Sequence, residues 1–222
     1  MSTIILKATN ICKSYFSPAK VTVLSGINLE LHKGEAIAIQ GASGEGKTTL
    51  LHILGALERP CSGNITVNEK LISFKDYSKT RNSLFGFIFQ TYNLLEDLTV
   101  LDNVIMPAVI ARKKPSKVYD HGKLLLQEVG LLDRQLFLAK LLSGGEKQRV
   151  AIARSFCNDP EIILADEPSG NLDHGNSKII HELLISFVKK KNKSLLVVTH
   201  DEELAGLCDK RFLLKEGLLH TI

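Results

Sequence analysis

The chain changes its hydrophobic period twice. From residue 3 to Leu31 apolar and polar positions alternate, as strands of a half-buried antiparallel sheet do, and Gly34 and Gly63 mark turns. Glu35–Gln40 is a short apolar run, the pattern of a strand buried on both faces. Thr49–Leu57 spaces its apolar residues as a helix would, so residues 3 to 90 are expected to be mostly strand with this helix among them. Residues 91 to 158 read as helical. Val100–Ala111 and Lys117–Val129 carry apolar faces, with Pro107 and Pro115 expected as breaks, and Glu146–Phe156 is a third helix. After Glu161, strand and helix alternate: Ile162–Asp166, Ser177–Lys190, Ser194–Thr199, Glu202–Leu207, Arg211–Lys215. Alternation on that scale predicts a parallel sheet with helices on both faces. The class is therefore α/β, with an antiparallel β lobe and an inserted α-helical subdomain at 91–158 between core segments 1–90 and 159–222 of one domain.

Two anion cradles lie on this frame. Gly41-Ala42-Ser43-Gly44-Glu45-Gly46-Lys47-Thr48 fits the phosphate-loop pattern, between a buried strand and a helix that begins near Thr49. Its glycines let backbone amides turn toward the α- and β-phosphates of a nucleotide. Lys47 would reach the β- and γ-phosphates, and the Thr48 hydroxyl would ligate Mg²⁺. The second cradle is Leu142-Ser143-Gly144-Gly145-Glu146. Ser143 stands at a helix N-cap and Glu146 three residues on completes a capping box, leaving the Gly144 and Gly145 amides at a helix start. One nucleotide needs one cradle. Two in one chain are explained by a head-to-tail pair, in which the loop of one copy and the Ser143 motif of a second enclose the same γ-phosphate.

With both motifs on the page, the chain resembles the ATP-binding subunit of ABC transporters over essentially its whole length. The resemblance implies a P-loop NTPase fold with a RecA-like sheet core, and it assigns further residues. Asp166, closing Ile162–Asp166, is expected to hold Mg²⁺ through water, and Glu167 to polarise the attacking water. Ser169-Gly170-Asn171-Leu172-Asp173 matches the family's D-loop, with Asp173 in the nucleotide site. His200 matches the γ-phosphate switch residue. Gln90 matches the glutamine that touches Mg²⁺ and couples to the membrane subunit. Tyr15 falls where an aromatic stacks on adenine; the other reading is a surface aromatic on an edge strand. The stretch Gly86–Leu95, followed by Leu98-Thr99-Val100, Asp102-Asn103-Val104 and Pro107, resembles the subfamily serving lipoprotein release, macrolide export and cell division, and Met106-Pro107, Ala111 with Lys113-Lys114-Pro115, and Leu196–Asp201 look most like its lipoprotein-releasing branch. That implies a bacterial inner-membrane permease partner with a large periplasmic domain, and a peripheral position on the cytoplasmic face. The departures are small: Thr48 for Ser, Ser169 for Thr, Asp102 for Glu, and Glu45 for a small residue, whose charge is expected to point away from phosphate.

Composition narrows the partners. Of 222 residues, 44% are hydrophobic, enough for one good core. A net charge of +4, from 28 basic and 24 acidic residues, is too mild to argue for nucleic acid. Cys12, Cys61, Cys157 and Cys208 have neither metal-type nor CxxC spacing and read as reduced thiols. Met1–Leu6 runs into a strand without a cleavable apolar core, and no apolar run approaches eighteen residues, so a transport pathway would lie on another polypeptide. Lys189-Lys190-Lys191-Asn192-Lys193 reads as a solvated helix end, and Arg112-Lys113-Lys114 as a cluster facing solvent or a partner. A soluble ABC ATPase of DNA repair or translation is the competing class. Repair types carry a long coiled coil and translation types two such domains; this chain has no heptad run and room for one.

Overall fold

A computed structural model describes residues 3–16, 19–72 and 77–222. Two sheets carry the fold. The first has order β2-β1-β4-β5, built from β1 (Ile4–Phe16), β2 (Lys20–His32), β4 (Ser62–Val67) and β5 (Lys70–Leu71), every pair antiparallel. This is the arrangement that the early alternation predicts. The second has order β10-β9-β3-β8-β7-β6. It joins β3 (Ala36–Gln40), β6 (Phe85–Ile88), β7 (Ile162–Asp166), β8 (Ser194–Val198), β9 (Lys210–Lys215) and β10 (Leu218–Thr221). Every pair here is parallel except β9 with β10.

The central strands separate two apolar cores by alternation. Ala36 and Ala38 of β3, Ile163 and Ala165 of β7, and Leu195 and Val197 of β8 enter one core. There they meet α3 (Val100–Ile110), α4 (Pro115–Glu128), α5 (Gly144–Ser155) and α6 (His174–Lys190). Ile37, Ile39, Ile162, Leu164, Leu196 and Val198 point the other way, onto α1 (Lys47–Leu54) and the antiparallel sheet. Strands buried on both faces read as nearly continuous apolar runs, and β3, β7 and β8 are buried throughout, with Gln40, Asp166 and Ser194 as the polar residues at their ends.

The structure departs from expectation at Pro107, before residue 90 and at the last strand. The helix runs through Pro107, which lies inside α3. Asn82 and Asn158 donate to the Pro107 carbonyl, and Val104, Ile105 and Ala108 are buried around it, so packing outweighs the missing amide bond. Pro115 starts α4 at its first turn, where no N–H is needed. The region before residue 90 holds a second helix, α2 (Tyr77–Leu84), and the chain closes with the unexpected β10. The last helix is short, α7 (Glu202–Gly206). The lysine run closes α6 as expected, with Lys191 paired to Glu128 and Lys193 to Asp159. Among the described residues no helix is long and apolar enough to cross a membrane.

Candidate functional site

The C-terminal ends of the parallel strands deliver the polar groups, as open α/β sheets do. Gly41 follows β3, Gln90 follows β6 by two residues, Asp166 ends β7 with Glu167 next, and Thr199-His200 follow β8. A cavity of about 610 Å³ opens there, and Ser43, Gly44, Gly46, Lys47, Thr48, Thr49, Gln90, Glu167 and His200 line it.

The loop before α1 is shaped by its own bonds. Gly46, the N-cap of α1, has φ 96°, and a Cβ on it would stand 2.4 Å from Val23 Cγ1, so only glycine fits this turn. No side chain caps α1, and the amides of its first turn stay available to an anion. Lys47 Nζ donates to the Gly41 carbonyl at 2.8 Å and to that of Ala42 at 3.1 Å. Glu45 does point away, as expected: its Oε2 accepts from the Glu216 amide at 2.7 Å in the β9–β10 turn.

The carboxylates have different surroundings. Thr48 Oγ1 donates to Asp166 Oδ1 at 3.1 Å, and burial pushes the Asp166 carboxyl above the usual carboxylate range, against the pull of that bond. Thr48 and Asp166 offer hard oxygen donors, fitting Mg²⁺, which takes one or two protein oxygens and shares the rest with phosphate and water. Glu167 sits at φ 42°, a region side chains rarely adopt. Its Oε2 accepts from Thr199 Oγ1 at 3.1 Å and from the His200 amide at 3.2 Å, and lies 3.0 Å from His200 Nδ1. Lys47 Nζ is 4.0 Å from its other oxygen.

Tyr15 is partly exposed beside the cavity. Its segment of β1 pairs with β2, while the pairing of β1 with β4 ends at Cys12. The phenol donates to Glu58 Oε1 at 2.8 Å and lies 3.4 Å from Thr49 Oγ1, and Lys13 Nζ stands 5.0 Å from the ring centre. Lys13 also pairs with Glu58 at 2.7 Å. Neither Lys13 nor Glu58 stands out in the sequence.

Ser143 does not line this cavity. It caps α5 with the full capping box that its spacing predicts: Ser143 Oγ accepts from the Glu146 amide, and Glu146 Oε2 accepts from the Ser143 amide at 2.9 Å. That amide bond, foremost, holds the Glu146 carboxyl below its ordinary range. Gly144 packs near the Tyr92 hydroxyl, and Gly145 near Asn176. Asp173 caps α6 by accepting from the Asn176 amide at 3.0 Å, apart from the cavity lining. The D-loop segment meets the cavity through Asn171, whose Nδ2 donates to the Gln90 carbonyl at 2.9 Å. Sequence reasoning missed Arg154, which donates to the carbonyls of Tyr92 and Asn93 and so ties the end of α5 to the segment after Gln90. Burial lowers its pKa to about 10.

Comparison with known proteins shows the family. The family model described as ABC transporter matches residues 24–170. A lipoprotein-releasing system ATP-binding protein LolD from Protochlamydia amoebophila is 52% identical, over 99% of this chain and 97% of its own. The protein of that name from Cytophaga hutchinsonii is 44% identical, over 97% and 98%. Among solved structures, a dimeric ATP-binding cassette in a post-hydrolysis state, bound to ADP and Pi, superposes with a TM-score of 0.88 at 32% identity, covering 97% of this chain and 96% of that one.

Proposed function

Because the chain belongs to the ABC transporter family, as an ATP-hydrolysing cassette, we propose that it is the motor subunit that releases lipoproteins from the bacterial inner membrane for transfer to the outer membrane. The observation that carries the chemistry is the meeting of Lys47, Thr48, Gln90, Glu167 and His200 on one cavity, with Asp166 bonded to Thr48, while Ser143 lies outside it. A cavity that lacks its second anion cradle is completed by a second copy, Ser143, Gly144 and Gly145 of one closing on Lys47 of the other.

In this reading the amides from Ala42 to Thr49 and the ammonium of Lys47 hold the phosphates of ATP. Thr48, Asp166 and Gln90 hold Mg²⁺, which neutralises phosphoryl oxygens when bound. Glu167 orients and polarises the attacking water, and His200, at 3.0 Å, fixes the position of that carboxylate. Tyr15 carries the adenine, its ring fixed by Glu58. The other partner is a permease with a large periplasmic domain, LolC/LolE-like, which keeps the chain on the cytoplasmic face of the membrane. Its coupling helix rests in the cleft beside Gln90, where Phe87, Phe89, Asn93, Pro107 and Ile110 line a hollow of about 320 Å³.

The test is to purify tagged Glu167→Gln protein from native membranes with ATP and identify what accompanies it. Permeases with large periplasmic domains and bound lipoprotein support the reading. A division-type permease with cell-wall hydrolase regulators, or a macrolide-export permease, moves the assignment within the subfamily. Recovery without any membrane protein overturns the transport role and favours a soluble ATPase.

A further inference from the structure

Beneath the D-loop segment lies a buried imidazole that no nucleotide-binding motif contains. His181 is 1% exposed, on the second turn of α6. Its Nε2 lies 2.7 Å from Ser169 Oγ, itself buried, and 3.8 Å from Asp201 Oδ2. One helical turn earlier, Ser177 Oγ reaches the Ser169 carbonyl at 3.5 Å. Residues four apart share a helix face, so α6 grips Ser169 at both its hydroxyl and its carbonyl.

Each end of this contact leads to the cavity. Past Ser169, the Gly170 amide donates to the Glu167 carbonyl, and a Cβ on Gly170 would stand 2.9 Å from Gln90 Nε2. Asn171 then holds the Gln90 carbonyl. On the other side, Asp201 caps α7 through the Leu204 amide and directly follows His200, whose ring meets Glu167. The imidazole therefore stands between the turn that follows Glu167 and the turn that carries His200.

Its hydrogen bonding favours one tautomer. Nδ1 is buried without a partner. A proton on Nε2 leaves only a lone pair unsatisfied at Nδ1, whereas a proton on Nδ1 would bury an unpaired donor. Nε2–H thus donates to Ser169 Oγ. An aliphatic side chain at 181 would fill this core without an orphaned nitrogen, so packing alone does not ask for histidine here.

We propose that His181 is a positioning residue of the ATPase, which clamps Ser169 and keeps the 169–171 turn in register with Gln90 and with the His200 turn. The inference rests on the ATPase reading above. Because the clamp touches neither phosphate nor metal, its loss should lower turnover while leaving ground-state binding nearly unchanged.

The experiment compares steady-state ATP hydrolysis by wild type, His181→Leu, His181→Gln, Ser169→Ala and the His181→Leu/Ser169→Ala double variant. A fall in kcat of about ten-fold is expected for His181→Leu, with KM for ATP within about two-fold. Ser169→Ala should match it, and the double variant should lose no more than either single one. His181→Gln, whose amide Nε2 can still donate to Ser169, should recover most of the rate. Additive losses, an unrescued Gln variant, or a wild-type kcat in a folded His181→Leu protein would overturn the clamp. Should His181→Leu fail to fold, Ser169→Ala alone decides: a wild-type rate overturns the proposal. Wild type and Glu167→Gln run in parallel keep the premises apart. No hydrolysis by wild type would sink the ATPase reading, and a silent His181 series beside an active wild type sinks only the clamp.

Discussion

Glu167 Oε2 lies 3.0 Å from Nδ1 of His200, and the same oxygen accepts from the His200 amide and the Thr199 hydroxyl. The turn after β8 thus supplies the donors that orient this carboxylate, although 33 positions, α6 and β8 among them, separate the two in sequence.

Glu167→Gln keeps an acceptor for Thr199 and His200 but cannot take a proton. Hydrolysis should fall by about a hundred-fold or more. ATP affinity by calorimetry should stay within about two-fold. The mass by light scattering should shift to a dimer when ATP is added. Normal turnover by this variant would remove Glu167 from its role.

Ser143→Arg removes a cap worth about 1 kcal/mol, so the protein should fold with a modest loss of stability. It should bind ATP as a monomer and not turn it over, because the defect falls on the neighbouring copy's site. Hydrolysis at the wild-type rate would refute the sandwich.

Lys47→Ala should weaken ATP binding several-fold or more by calorimetry, since its ammonium is the one Lys or Arg charge among the described residues that line the cavity. Unchanged affinity would contradict the phosphate-loop assignment.

Asn103 is 1% exposed and bonds the Leu95 amide and the carbonyls of Leu95 and Thr99. Asn103→Ala leaves the Leu95 amide without its partner, while the Thr99 and Leu95 carbonyls keep the Asn103 and Leu98 amides, and should cost about 2 kcal/mol in urea unfolding. ATP affinity of the folded fraction should hold.

Burial holds the pKa of His181 below its ordinary value, although Asp201 and Glu203 pull it up; His174 adds a small push down. A base whose folded pKa lies below the unfolded one makes folding take up fewer protons. Its contribution is complete above about pH 6.5 and is lost as pH falls below that. Urea midpoints from pH 7.5 to 5.5 should therefore fall more steeply for wild type than for His181→Leu. Parallel curves would show that His181 does not titrate with unfolding.

The strand ends and both anion cradles were legible because their signals are local. Ser143 and Glu146 are three apart, as a capping box requires, and β3, β7 and β8 are apolar but for one polar residue at an end of each. What was illegible depends on distant partners. Tyr77–Leu84 has no apolar run to mark a helix. Pro107 reads as a break until Asn82 and Asn158, from elsewhere in the chain, are seen on its carbonyl. β10 is four residues on a two-residue turn at Glu216-Gly217, both at positive φ, a hairpin signal too short to weigh alone. In the site, Lys13, Glu58, Arg154 and His181 act on residues far along the chain, so spacing could not find them.

The bond from the Glu216 amide to Glu45 makes the last hairpin a mechanical neighbour of the phosphate loop. Leu218, two residues on, is nearly half exposed. A small fluorophore there would be a natural reporter: it sits outside the cavity, yet a shift of Glu45 around a nucleotide must either drag the hairpin along or break this bond. The chain's final strands thus offer an optical readout of a site whose residues were set down some 170 positions earlier.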